Sequence, residues 1–206
     1  MAITCAMTQV VQAPDQIAEL LVHLGRAARR EDGRSDLTAA QWTCLRFFAR
    51  ANAATRTPSG FASFQATTRG TASQIVKSLE TRGMLARAPS GRDRRSVRFD
   101  VTEAGRAALA GDPLRDLITV AEALAPRERD GFLATLSRLA SALAARRSAP
   151  AFGTCRDCRH FGASGDGAYC ACMAAALDAD DIDRLCASYG GPARDAQREE
   201  DRHGAA

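Results

Sequence analysis

The chain has 206 residues, 46% of them hydrophobic and 25% charged, with a formal net charge of +4. That is enough for one domain with its own core plus a small appendage, or for two small domains. No long apolar run exists and the opening stretch MAITCAMTQVVQAPDQ lacks the order of a secretory leader, so a cytoplasmic location with no membrane partner is expected. In such a reducing setting the seven cysteines read as metal ligands or redox sensors in preference to structural disulfides.

Pro14 followed by Ile17, Leu20, Leu21 and Leu24 predicts an amphipathic helix running to about Arg30. EDGRSD reads as a polar turn. In LTAAQWTCLRFFARAN, Thr38 and Gln41 stand in capping-box spacing, and Trp42, Leu45, Phe48 and Ala49 form the stripe to be buried. Thr57 as N-cap and Pro58 at the first helical position predict a short helix burying Phe61 and Phe64. A turn, ATTRG, leads into GTASQIVKSLETRG, whose Ala72, Ile75, Val76 and Leu79 share one face. Arg69, Thr71, Ser73, Gln74 and Lys77 lie toward its start and opposite side. Gly83 suits the left-handed position that ends a helix.

MLARA and SVRFDV alternate with the period of strands, joined by the arginine-rich PSGRDRR. From Arg69 to Arg98 there are eight basic residues against Glu80 and Asp93, whereas from Ala176 onward eight acidic residues face four arginines. Lys77 is the only lysine, a bias that a GC-rich genome accounts for by itself. A helix opens near Thr102, breaks near GDP, and is followed by another from Pro126. In that last helix Phe132, Leu133, Leu136, Leu139, Ala140 and Leu143 form a continuous apolar stripe, more than one small domain needs.

A short helix, a tight turn and a second helix with polar residues at its start make a helix-turn-helix, and the basic hairpin after it makes a wing. In GTASQIVKSLETRGMLARAPSGRDRRSVRFDVTEAGRAAL the chain resembles the MarR family of winged helix-turn-helix transcription regulators. Leu79, Glu80, Gly83, Met84, Leu85, Asp93, Arg95, Thr102 and Gly105 stand in register with its L-E-x-x-G, D-x-R and T-x-x-G signatures. Val101 replaces the usual leucine before the threonine, and Phe61 and Phe64 stand where leucines are usual. The resemblance covers residues 14–147. It implies double-stranded DNA as the partner, a homodimer formed through the terminal helices, and operator binding, as a repressor, with no catalysis.

On that reading Thr71, Ser73, Gln74 and Lys77 would face the major groove, Gln74 being suited to adenine through its two-pronged amide. Arg69, Arg92 and Arg94 add phosphate contacts. The resemblance assigns Arg95 to the minor groove beside the wing and Asp93 to orienting it. A protein-interaction adaptor with a structural zinc site is the alternative; a redox enzyme lacks a visible nucleophile, base or cofactor loop. A small-molecule effector between the helices is a further partner class that the resemblance admits.

Beyond a linker, residues 148–153, lies TCRDCRHFGASGDGAYCAC, followed by Cys186. Cys155 and Cys158 make one knuckle suited to zinc, but Cys170 and Cys172 alternate and Cys186 stands far off, a spacing commoner for iron–sulfur clusters. Both occupants stay open. The expected ligands are Cys155, Cys158, Cys170 and Cys186, with Cys172 the alternative to Cys170. Short helices are expected after Cys170 and over DADDIDRLC, with Tyr169 and Phe161 covering the site. His160 could ligate but reads first as a surface residue; Cys44 reads as a buried hydrophobe and Cys5 as part of a loose terminus. The expected organisation is mainly α with a small β wing: a winged helix-turn-helix over 1–147, a cysteine-rich domain over 154–190, and a polar tail over 191–206.

Overall fold

The computed structural model describes residues 12–28, 36–88, 97–164 and 167–191. Seven α-helices are described: α1 (Ala13–Ala27), α2 (Ala39–Arg50), α3 (Pro58–Phe64), α4 (Arg69–Thr81), α5 (Glu103–Ala110), α6 (Arg115–Glu122) and α7 (Pro126–Arg146). Strands β1 (Leu85–Ala88) and β2 (Arg98–Val101) form an antiparallel pair between α4 and α5, with Leu85 opposite Val101. The C-terminal part is built from β3 (Gly153–Thr154), β4 (Phe161–Ser164), β5 (Gly167–Cys170), β6 (Ala175–Leu177) and β7 (Leu185–Cys186). There β4, β5 and β6 make a three-stranded meander, while β3 pairs with β7.

α2 organises the core. Its start is fixed by the anticipated capping box: Gln41 N–H donates to Thr38 Oγ1 at 3.3 Å, and Thr38 N–H donates to Gln41 Oε1 at 2.9 Å. The free amide nitrogen of Gln41 donates to Ser78 Oγ at 2.8 Å, joining α2 to α4. Trp42, Leu45, Phe47 and Phe48 are buried together with Phe61, Val76, Leu79, Leu85 and Phe99. The Phe47 and Phe48 rings meet edge to face at 5.3 Å, and Phe48 meets Phe99 of β2 at 6.0 Å, which suits the ring quadrupoles. Phe64 departs from expectation. It is 38% exposed, because it closes the edge of the core between Phe47 and Phe152, each at 5.2 Å. Phe152, from the stretch read as a linker, thereby packs on the helical part.

Gly83 adopts φ +69°, the left-handed conformation expected after α4. The turn that follows is tied to α5 by one residue: Thr102 donates its hydroxyl to Gly83 O at 2.6 Å and its N–H to Met84 O at 3.1 Å, while Oγ1 accepts from Gly105 N–H at 3.1 Å. The break at GDP is also held. Asp112, buried, pairs with Arg46 of α2 at 2.6 Å and accepts from Leu114 N–H at 2.8 Å, so the break is a fixed corner on α2.

The stretch after Cys170 departs from the helices expected there. A turn leads into β6, and DADDIDRLC forms a single 3-10 turn (Ala179–Asp181) before Leu185 and Cys186 extend as β7. Three aspartates within four positions repel one another along a helix, and backbone pairing of Leu185 with Thr154 draws the end of the segment into a strand.

Gly105 explains the T-x-x-G signature. A Cβ there would overlap Met84 O and come within 2.7 Å of Val101 Cγ1. Gly105→Ala is therefore expected to destabilise the fold by about 1–3 kcal/mol through overpacking, measured by urea unfolding; unchanged stability would refute the close approach.

Candidate DNA interface and cysteine centre

α4 is N-capped by Thr68, whose Oγ1 accepts from Thr71 N–H at 3.1 Å. Its Ala72, Val76 and Leu79 are buried against the core, whereas Arg69, Thr71, Ser73, Gln74 and Lys77 are exposed. The five residues singled out on this helix thus share the solvent side. Between α4 and β1–β2 runs a groove lined by Ser73, Lys77, Glu80, Arg87, Val97 and Phe99. Arg87 donates to Glu80 at 2.9 Å and lies over the Phe99 ring, so this wing arginine is already engaged within the fold. Arg92, Asp93, Arg94 and Arg95 lie outside the described residues.

With α3, the turn, α4 and the paired strands in place, the comparison with known proteins can be made. Residues 35–96 match the MarR family model. Over that segment, which holds α2, α3, α4 and β1, the chain is similar to the MarR family. Members of that family are transcription regulators, not enzymes. Solved structures with a similar fold include a MepR–DNA complex from S. aureus, at 18% identity over 64% of this chain and 96% of that one, with a TM-score of 0.48. MarR from E. coli, in its apo form, is similar at 20% identity over 64% and 98%, with a TM-score of 0.46. A probable transcriptional regulator from Pseudomonas aeruginosa is similar at 23% over 62% and 99%, with a TM-score of 0.44. No curated protein matches the chain.

The matched segment ends well before the cysteine cluster that begins at Cys155. Cys155, Cys158, Cys170 and Cys186 are buried, while Cys172 is exposed. The four buried thiols come from three places: Cys155 and Cys158 from the turn after β3, Cys170 from the end of β5, and Cys186 from β7. Cys186, Cys170 and Cys158 all lie within electrostatic reach of Cys155. Burial, then the neighbouring Cys186, Cys170 and Cys158, then a hydrogen bond with Cys186, push its thiol up to about 12. Among the described residues, no group of three or more histidine, cysteine, aspartate or glutamate side chains is arranged as a cage for a metal ion.

Backbone hydrogen bonds shape the segment around the four thiols. Cys158 N–H donates to Cys155 O at 3.0 Å and Phe161 N–H to Cys158 O at 2.9 Å, forming a tight knuckle. Gly190 N–H donates to Cys158 Sγ at 3.4 Å. Thr154 donates to Asp157 at 2.8 Å across the knuckle, and Arg156 makes a two-pronged pair with Asp183 at 2.5 and 2.8 Å. Register brings Cys186 opposite Gly153 and Cys170 opposite Phe161.

The cover differs from expectation. Tyr169 is 37% exposed, because β5 turns that side chain outward while Cys170, next along the strand, points inward. Tyr189 takes its place. It is buried against Gly153, where a Cβ would come within 2.6 Å of its ring, and its hydroxyl donates to Asp157 O at 3.5 Å. The half-buried His160 packs its ring on Gly190. Tyr189 was missed in the sequence, where its only signal is an aromatic set before two glycines three residues after Cys186.

Cys44 is fully buried in α2, and burial raises its thiol well above the usual cysteine range; Cys5 lies outside the described residues. Pulse labelling with iodoacetamide, read by mass spectrometry, is expected to modify Cys172 first and leave Cys44 unmodified in the native protein, since the reactive form is an accessible thiolate. Early modification of Cys44 would contradict this packing.

Proposed function

We propose that the chain is a DNA-binding transcription regulator of the cytoplasm, a repressor, which grips operator DNA as a homodimer and carries a cysteine-ligated iron–sulfur cluster, with zinc as the alternative occupant. The observation that carries the DNA-binding part is the division of α4. One face is fixed in the core, and the other presents Arg69, Thr71, Ser73, Gln74 and Lys77 to solvent. A helix so held can enter the major groove without rearranging, its cations meeting phosphates and its amide and hydroxyls meeting base edges. No helix among the described residues is long and apolar enough to cross a membrane.

The dimer reading is supported by what the terminal helices leave uncovered. None of the described residues of α1, α6 or α7 is buried, while Leu20 at 58%, Val120 at 67% and Leu133 at 63% exposure make a broad apolar surface. A second copy is the occupant that the two-fold symmetry of operator recognition calls for. A cleft of about 710 Å³ beside it, lined among others by Arg46, Arg50, Phe64 and Leu133, has room for a small-molecule effector.

The cysteine reading rests on the four buried thiols, three of them within electrostatic reach of Cys155, a soft donor set that fits iron–sulfur or zinc chemistry. Cys155, Cys158, Cys170 and Cys186 would hold the group, which when bound supplies either an electron-accepting core or a structural clasp. Gly190 N–H, donating to Cys158 Sγ, would stabilise a thiolate there, and each thiol would release its proton on loading. Collection of ligands from three separate segments favours the larger iron–sulfur core, which senses redox state or iron.

Two measurements test these parts. In a salt titration on duplex DNA, Lys77→Ala is expected to lower the magnitude of the log–log slope by about one, and Gln74→Ala to relax discrimination at one base pair. A flat slope in the parent would favour the protein-interaction adaptor. Single serine replacements at Cys155, Cys158, Cys170 and Cys186, in protein purified without oxygen, are each expected to abolish visible absorbance and bound iron, and Cys172→Ser to leave both intact. Colourless protein with one zinc per chain would select the alternative occupant, and full retention in Cys186→Ser would refute the four-thiolate set.

A further inference from the structure

The strand that carries Cys186 is joined to the DNA-binding part on both sides of that residue. Asn52 N–H donates to Leu185 O at 2.9 Å, and Ala187 N–H donates to Thr55 Oγ1 at 2.9 Å. Leu185 also forms a parallel bridge with Ala51 and packs on the core around α2. Arg184 adds a hydrogen bond to Ala49 O at 3.2 Å. Cys186 is thus flanked by residues anchored to the end of α2 and the loop after it.

The opposite flank of that loop belongs to the wing. Phe99 N–H of β2 donates to Arg56 O at 3.1 Å, Arg98 donates to Ala53 O at 3.4 Å, and Arg56 pairs with Asp100. Thr57, next in the chain, caps α3 by accepting from Gly60 N–H at 2.9 Å. Gly60 lies so close to Thr55 that a Cβ on it would overlap the Thr55 carbonyl. A shift of the loop therefore has to move the start of α3, and β2 with it.

We propose that residues 52–56 relay the state of the cysteine centre to the DNA-binding surface, with Asn52 and Thr55 as positioning residues for DNA recognition. This rests on the reading of the four thiols as a ligand set. Asn52 and Thr55 are buried, and their groups satisfy one another, Thr55 N–H donating to Asn52 Oδ1 at 2.9 Å. If β7 withdraws, the Asn52 N–H and the Thr55 hydroxyl lose partners in a place water reaches poorly, and the loop must repack to satisfy them. The loop is then a two-state element of the kind that coupling between distant sites requires. With the centre intact the loop is held, and the recognition helix and wing keep one relative setting. With the centre lost, that setting is released.

The test uses the full chain, a pool of random duplex DNA and three variants. Thr55→Val keeps the shape but removes the acceptor for Ala187. It is expected to retain all bound metal, to lose DNA affinity about tenfold, the weight of one net hydrogen bond, and to speed amide exchange at Asn52 and Ala187. Thr55→Ser, which keeps the hydroxyl, is expected to behave as the parent, which a purely space-filling role would not predict. Cys158→Ser alters the centre away from β7 and is expected to lose metal and to speed exchange at the same two amides. Parental affinity and exchange in Thr55→Val would overturn the relay. Lost metal with unchanged exchange at Asn52 in Cys158→Ser would also overturn it while leaving the ligand set standing. Unchanged metal in Cys158→Ser would refute the ligand set instead, and Thr55 alone would then decide the relay. If Thr55→Val does not fold, the Cys158→Ser exchange result decides.

Discussion

The exposed polar row of the helical part depends on how α4 is seated. Ala72, Val76 and Leu79 commit one face of the helix to an aromatic core built on Phe47, Phe48 and Phe61, and that commitment leaves a single orientation for the polar face. Dense packing resists rotation of a seated helix, since turning it would expose apolar surface and open voids among close-packed rings. The hydrogen bond from Gln41 to Ser78 fixes the same orientation from the polar side. α4 is then closed at its far end by Gly83 and by Thr102, whose hydroxyl and N–H hold the turn that starts the wing. Recognition helix and wing are thereby joined through backbone hydrogen bonds, a stiff connection that fixes their relative angle.

The C-terminal segment is held together in another way. Its strands are two to four residues long, and its buried side chains are chiefly the four cysteines and Tyr189. A segment of that size cannot bury enough apolar surface to fold alone. It leans instead on the helical part, through Phe152 against Phe64, Leu185 on the α2 core, and Ala187 N–H to Thr55 Oγ1. The ordering of the thiols is therefore tied energetically to the helical part, and whatever alters the thiols acts on the loop and helices they lean on.

Several features were legible because they follow from local chemistry. The capping box at Thr38, the proline-led start of α3, the left-handed Gly83 and the alternation of β1 and β2 are each decided within a few residues, and the structure has them where the sequence places them. The polar row on α4 followed from helical periodicity alone. Other features were not legible. Phe64 was expected in the core because its spacing matches Phe61, yet its exposure is decided by Phe152, which is distant in sequence. DADDIDRLC carries helix-start chemistry, but antiparallel pairing of its end with β3 and the hydrogen bond from Asn52 N–H to Leu185 O outweigh the preference of so short a segment.

The sequence by itself determined the helix-turn-helix and wing, the exposed row of α4, and which thiols are too far apart in the chain to be a simple knuckle, because those depend on periodicity, caps and spacing. Only the tertiary structure decided that Tyr189 covers the buried thiols in place of Tyr169, and that β7 is hydrogen-bonded to the loop before α3. Each of these is a contact between segments far apart in sequence, whose geometry is set by how the small strands pair and lean on α2. No residue carries a local signal for that.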